Sequence, residues 1–241
     1  MAKIPHQPEE IFAEFTADLK SIFQDGLLSI ILFGSGARGE YVRKKSDINF
    51  LVILSEEAIQ TIGLAIPLVK KWRKRAVSLP LFLTPLYVKS SLDSFPMEFL
   101  EMKTHHRLVF GEDYLAPLEI KSEHLRLQCE REVKGKLLHL RQGYLSSQGK
   151  PRILRSLLIQ SLPTFATIFS ALLSLKGEPI PTKKLDIFLR TAEVFDLDTE
   201  VFRIIFQMRY ERRKLSKPKL QDLTNKYIEE IRKLSKMVDK L

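Results

Sequence analysis

The chain has 241 residues, 44% of them hydrophobic and 28% charged, with only 10 Gly and 12 Pro; this supports a buried core and excludes a disordered or collagen-like chain. A single cysteine, Cys129, leaves no internal disulfide, which fits a reducing cytoplasm, and the opening MAKIPHQPEEIFAEF has no apolar stretch of the kind a signal peptide needs. The net charge of +10 is one-sided: residues 1–115 hold 14 Lys/Arg and 14 Asp/Glu, whereas residues 116–241 hold 25 and 15, so the second half presents either solvated helix faces or a surface for RNA or another polyanion.

In chain order, PEEIFAEFTADLKSIFQD (8–25) sets Ile11, Phe12, Phe15, Leu19, Ile22 and Phe23 at helical spacing, and Gly26 ends it. LLSIILF (27–33) reads as a buried strand, and SDINFLVIL (46–54) as a second. Ser55 is the expected cap of a helix with Glu56 and Glu57 in its first turn and KKWRKR at its basic end. SLPLFLT (78–84) is a third predicted strand, followed by Thr84-Pro85 as cap and first residue of a short helix. PMEFLEMK (96–103) and RLVFG (107–111) read as two further strands in a hairpin.

Beyond about residue 118 only helical patterns remain. The first runs over 120–145, with Leu125, Cys129, Val133, Leu137 and Leu140 on one face; others follow through Leu175 and over 182–195, 198–213 and 219–240. The stretch Ser156–Leu175 carries no charge over the length of a bilayer span, yet Gln160, Pro163 and several Ser and Thr interrupt it. It reads as the central helix of a bundle, with no membrane association expected. The expected fold is therefore an α+β domain over 1–116, a small mixed sheet flanked by helices, followed by an all-α domain over 117–241.

GSGARG (34–39) fits the dinucleotide fingerprint G-x-G-x-x-G after a strand. The short segment after Gly39 excludes that reading. Only EYVRKKS separates Gly39 from Asp47, whereas a parallel crossover needs roughly a dozen residues. A different device suits the spacing: a strand running into Gly34-Ser35, a single helical turn whose N–H groups face a phosphate, and a short return to Asp47 and Asn49, two apart and on one face.

GSGARGEYVRKKSDINFLVI resembles the G-S-x(n)-D-x-[DE] signature of the nucleotidyltransferase superfamily, the fold of polymerase beta and the aminoglycoside nucleotidyltransferases. The resemblance implies that Gly34 and Ser35 grip the phosphates of an NTP. It also implies that Asp47 and residue 49 hold Mg²⁺, and that a third carboxylate comes from a later strand. In such a centre the ions bridge the phosphates, activate an acceptor hydroxyl and stabilise the leaving pyrophosphate. Here residue 49 is Asn, which offers one neutral oxygen, and SLPLFLT holds no acid. Glu98 is the expected third carboxylate, ahead of Glu101 and Asp93; as strand residues three apart, Glu98 and Glu101 would face opposite sides. Two functions are compatible with these residues: Mg²⁺-dependent transfer of a nucleoside monophosphate from an NTP to a hydroxyl, or an inactive nucleotide- or RNA-binding regulator of the same fold.

Other candidates are weaker. Arg38, Arg43, Lys44 and Lys45 crowd the same turn and read as triphosphate partners, Arg38 first among them, or as a solvated loop. His105-His106 reads as a hairpin turn rather than a metal site, and Cys129 as a small core residue. The Arg-x(4–6)-His ribonuclease pattern of helical toxin domains paired with such proteins is missed, since seven residues separate Arg131 from His139. RYERRKLSKPK (209–219) is the candidate nucleic-acid patch. The last helix, with Leu223, Tyr227, Ile231, Leu234 and Val238 on one side, is a core helix.

Overall fold

A computed structural model describes residues 3–211 and 213–241. The chain divides into two compact units, Met1–Ile120 and Lys121–Leu241.

The first unit is built on a four-stranded mixed sheet in the order β3-β2-β1-β4. β1 (Leu27–Phe33) pairs antiparallel with β2 (Asn49–Leu54) on one side and with β4 (His106–Gly111) on the other; β2 pairs parallel with β3 (Leu81–Leu83). One face, carrying Ile30, Leu32, Phe50 and Val52, packs against α1 (Phe12–Phe23) and α2 (Ile66–Arg73) through Phe15, Leu19 and Trp72. Phe15 stacks on Phe50 at 4.4 Å and meets the Trp72 ring edge-on at 5.2 Å. The Trp72 indole donates to Asp18 Oδ2 at 2.8 Å, so its one polar atom is satisfied. The opposite face, with Ile31, Leu51 and Ile53, packs against Val88 of α3 (Pro85–Ser90) and against Phe99 and Met102 of α4 (Pro96–Thr104).

Most predicted elements are present, with three corrections. The stretch 96–103 is helical, not a strand: Pro96 takes the first helical position, and Pro96, Phe99 and Met102 form a buried stripe at a spacing of three. β4 therefore pairs with β1 and makes no hairpin with its predecessor. The helix expected to be capped by Ser55 starts later, as a 3₁₀ segment over Ala58–Ala65 with Glu57 at its N-cap position, before α2; Ser55 Oγ accepts from Ala58 N–H at 3.1 Å ahead of it. Thr61 is non-helical there, Gly63 lies on the same stretch, and Pro67 lies in the first turn of α2. Third, β2 starts at Asn49, so Asp47 precedes the ladder, and β3 is confined to 81–83 because Pro80 has no N–H to donate. The Thr84 cap is as predicted, its hydroxyl accepting from Tyr87 N–H at 3.1 Å.

The second unit is helical: α5 (Ser122–Ser146), α6 (Pro151–Leu175), α7 (Lys184–Val194), α8 (Thr199–Tyr210) and α9 (Lys217–Val238). Among the described residues α6 is long and apolar enough to span a bilayer, yet half of its most apolar stretch is buried in the bundle. It packs against α5, α7, α8 and α9, and its Phe165 and Phe169 meet Phe188, Phe202 and Tyr227. Glu230, buried on α9, accepts from Asp198 N–H at 2.9 Å and from Lys233 Nζ at 2.6 Å, and so ties α9 to the start of α8.

Pro163 lies inside α6 and lacks the N–H that would bond to the carbonyl of Ile159. That carbonyl accepts instead from Arg209 Nη1 at 3.0 Å. Arg209 belongs to the candidate nucleic-acid patch; its guanidinium repairs the helix. Arg213 likewise donates to Gln207 Oε1, and Arg212, of the same cluster, lies outside the described residues. Arg209→Met is expected to destabilise the protein by about 1 kcal/mol, and the loss should shrink in a Pro163→Ala background, where the helix satisfies its own carbonyl. A double-mutant cycle in urea measures this; equal losses in both backgrounds would refute it.

Candidate functional site

The strand β1 delivers the chain into the glycine turn. Gly34 adopts φ = +71°, in the left-handed region. From there the backbone closes one helical turn, with Ala37 and Arg38 N–H donating to Gly34 C=O at 3.1 Å and Glu40 N–H to Ser35 C=O at 2.9 Å. The leading amides, Ser35 and Gly36 N–H, take no partner among the described residues. The predicted return is held by the N-terminal arm: Tyr41 O–H donates to Pro5 C=O at 3.2 Å, and Arg43 Nε to Ile4 C=O at 3.1 Å. Arg43 is thus turned to the arm, while Lys44 and Lys45 are exposed.

Asp47 is exposed just ahead of β2, and Asn49 is half-buried as the first residue of that strand, opposite Phe33. The Asn49 side chain lies over the turn: a β-carbon at Gly34 would sit 3.0 Å from Asn49 Nδ2. Its carbonyl oxygen accepts from Ser78 Oγ at 2.7 Å, which engages one of its two lone pairs.

Arg38 is brought to α4 rather than into solvent. Its Nη2 pairs with Glu101 Oε1 at 2.5 Å, with the side chain only 7% exposed, and its Nε has no hydrogen-bond partner among the described residues. Because 96–104 is helical, Glu98 and Glu101 share a face of α4 at a spacing of three, where the strand reading set them on opposite sides. Glu101 is the one that meets the turn; Glu98 is exposed. His105 also sits here, its Nε2 buried and unpartnered. Burial, with help from the Arg38 charge, pushes its pKa down, against a smaller opposing pull from Glu101 and Glu40.

His106 has a separate, structural setting at the start of β4. Its Nδ1 lies 2.9 Å from Lys103 C=O and its Nε2 2.9 Å from Asp113 Oδ2. Burial raises the Asp113 pKa, but hydrogen bonds from His106 and from the Ala116 and Leu115 N–H groups outweigh it and hold the carboxyl below its ordinary value.

The donor set does not fit a pair of Mg²⁺ ions. Asp47 contributes one carboxylate, Asn49 a carbonyl already engaged by Ser78, and no group of three or more His, Cys, Asp or Glu gathers to hold a metal ion among the described residues. Two cations about 4 Å apart need more negative charge between them than this.

Ser78 and Glu101 are the residues of this site that motif reading missed or ranked second. Ser78 carried no signal, because its proximity comes from strand register. The stretch around Glu101 carried one: Pro96, Phe99 and Met102 recur at a spacing of three, which reads as a helix as readily as a strand.

A Nucleotidyltransferase domain model matches residues 13–101. The chain is 30% identical over 83 residues to the putative protein adenylyltransferase MJ0141 of Methanocaldococcus jannaschii, an alignment covering 34% of this chain and 81% of that protein. Among solved structures it is similar to the spectinomycin adenyltransferase AAD(9) of Enterococcus faecialis, solved with ATP and spectinomycin. That match has a TM-score of 0.47 and 14% identity, over 89% of this chain and 98% of the other.

Proposed function

The chain belongs to the nucleotidyltransferase family, and from that premise we propose that it binds a nucleoside triphosphate at the Gly34–Ser35 turn without transferring the nucleoside monophosphate, serving as a nucleotide-binding or regulatory member of the family. The observation that carries this reading is the hydrogen bond from Ser78 Oγ to Asn49 Oδ1 at 2.7 Å. It engages the only acceptor oxygen at the position where the family signature has a second carboxylate. Ser35 and Gly36 N–H supply donors for a phosphate. Arg38, paired with Glu101, stiffens the turn instead of reaching the triphosphate. His105, its pKa pushed down by burial and the Arg38 charge, adds no fixed cation at neutral pH.

The archaeal relative's description as a putative protein adenylyltransferase makes ATP the first nucleotide to test and a protein hydroxyl the first acceptor. ATP and GTP are titrated calorimetrically into wild type and Asp47→Ala, and transfer of labelled AMP from ATP with Mg²⁺ is followed in parallel. Binding without transfer is expected, with Asp47→Ala within about threefold of wild type, under 0.7 kcal/mol. Transfer by wild type would remove the inactive reading in favour of Mg²⁺-dependent nucleotide transfer. Failure of wild type to bind either nucleotide would remove both.

A further inference from the structure

Ser78 reaches Asn49 through one feature of strand pairing. Ile48 and Val77 form a single parallel bridge, and both side chains turn into the apolar core on the α1 face. Their successors, Asn49 and Ser78, must therefore turn to the opposite face, side by side. The register then slips by one residue, since Ile48 faces Val77 but Leu51 faces Leu81. The extra residue lies in the Ser78–Pro80 stretch, just where proline cannot donate to the ladder. Ser78 N–H donates to Ile48 C=O at 3.0 Å, which anchors the serine backbone; its hydroxyl lies 2.7 Å from Asn49 Oδ1 and 3.3 Å from the same Ile48 C=O, the shorter contact being the one to Asn49.

The pair stands against the phosphate turn. Two carboxylates at these positions would be like charges within hydrogen-bonding distance of each other, a setting relieved by a cation between them or by a shared proton. Asn and Ser satisfy one another and call for no cation. We propose that Asn49 and Ser78 form a neutral clasp that removes the need for a divalent cation, so that the phosphate chain of a nucleotide is held at the turn without Mg²⁺. The proposal rests on the reading of Gly34–Ser35 as a phosphate grip. Lys44 and Lys45, exposed on the return loop, are the cations at hand for the charge that a metal would otherwise neutralise.

The test has two arms. Mn²⁺ is titrated into nucleotide-free protein and followed by electron paramagnetic resonance, comparing wild type with Asn49→Asp/Ser78→Asp. ATP and inorganic tripolyphosphate are titrated by calorimetry into wild type in excess EDTA and in excess MgCl₂. Expected are no Mn²⁺ binding by wild type, Mn²⁺ binding gained by the double variant, and wild-type ATP affinity equal with and without Mg²⁺ to within about twofold. Tripolyphosphate binding as well as ATP would identify the phosphates as what the turn recognises; ATP binding alone would add a nucleoside contact, and either agrees with the clasp. Mn²⁺ binding by wild type, or ATP affinity at least about tenfold higher with Mg²⁺, would overturn the proposal. If the double variant fails to fold, the wild-type measurements still decide. If wild type binds no ATP under either condition, the phosphate reading of the turn fails, while the Mn²⁺ comparison still judges the clasp.

Discussion

With valine in place of Gly34, ATP binding is expected to fall by more than about tenfold, the equivalent of 1.4 kcal/mol, while the protein stays folded. Gly34 holds φ = +71°, a conformation that side chains rarely adopt. A β-branched residue there costs on the order of 1–3 kcal/mol. Its β-carbon would also press on Asn49 Nδ2 at 3.0 Å, and the added methyl groups would disturb the Asn49–Ser78 pair against the turn. The chain relieves both by moving the backbone, which displaces Ser35 and Gly36 N–H, the donors proposed for a phosphate. Calorimetric ATP titration and thermal melting of the same samples measure the two effects. Wild-type affinity in a folded Gly34→Val protein would show that the turn does not hold the nucleotide.

Phe169→Ala is expected to destabilise the helical unit by about 3–5 kcal/mol. Phe169 is fully buried at the middle of the bundle, with rings of Phe165, Phe188 and Phe202 at 5.6, 4.8 and 5.7 Å. Removing it leaves a cavity bounded by three helices whose own aromatic contacts oppose collapse. Urea unfolding followed by circular dichroism gives the value. A loss below about 1 kcal/mol would mean that the site repacks, and that α6 is not the centre of this core. The same variant should leave ATP binding unchanged, since every residue assigned to the phosphate turn belongs to the first unit.

Local pattern alone determined much of this protein. LLSIILF had to be a buried strand, Gly34 had to be a turn, and seven residues from Gly39 to Asp47 were too few for a crossover helix, which makes β1 and β2 antiparallel neighbours. Thr84-Pro85 and the apolar stripes of α5, α6 and α9 were equally readable, because caps and periodicity act over a few residues. PMEFLEMK was not readable: Met97 and Phe99 alternate like a strand, and only packing against the β1–β2 face selects the helix that buries Phe99 and Met102 together. That selection decides which glutamate meets Arg38. The Ser78 hydroxyl, 29 residues from Asn49, and Arg209, 50 residues from the carbonyl that Pro163 leaves without a donor, depend on register and helix packing. Such contacts are set by long-range pairing, to which no short window of sequence is sensitive. The sequence placed Asn49 at the turn; the tertiary structure decided what its oxygen does there.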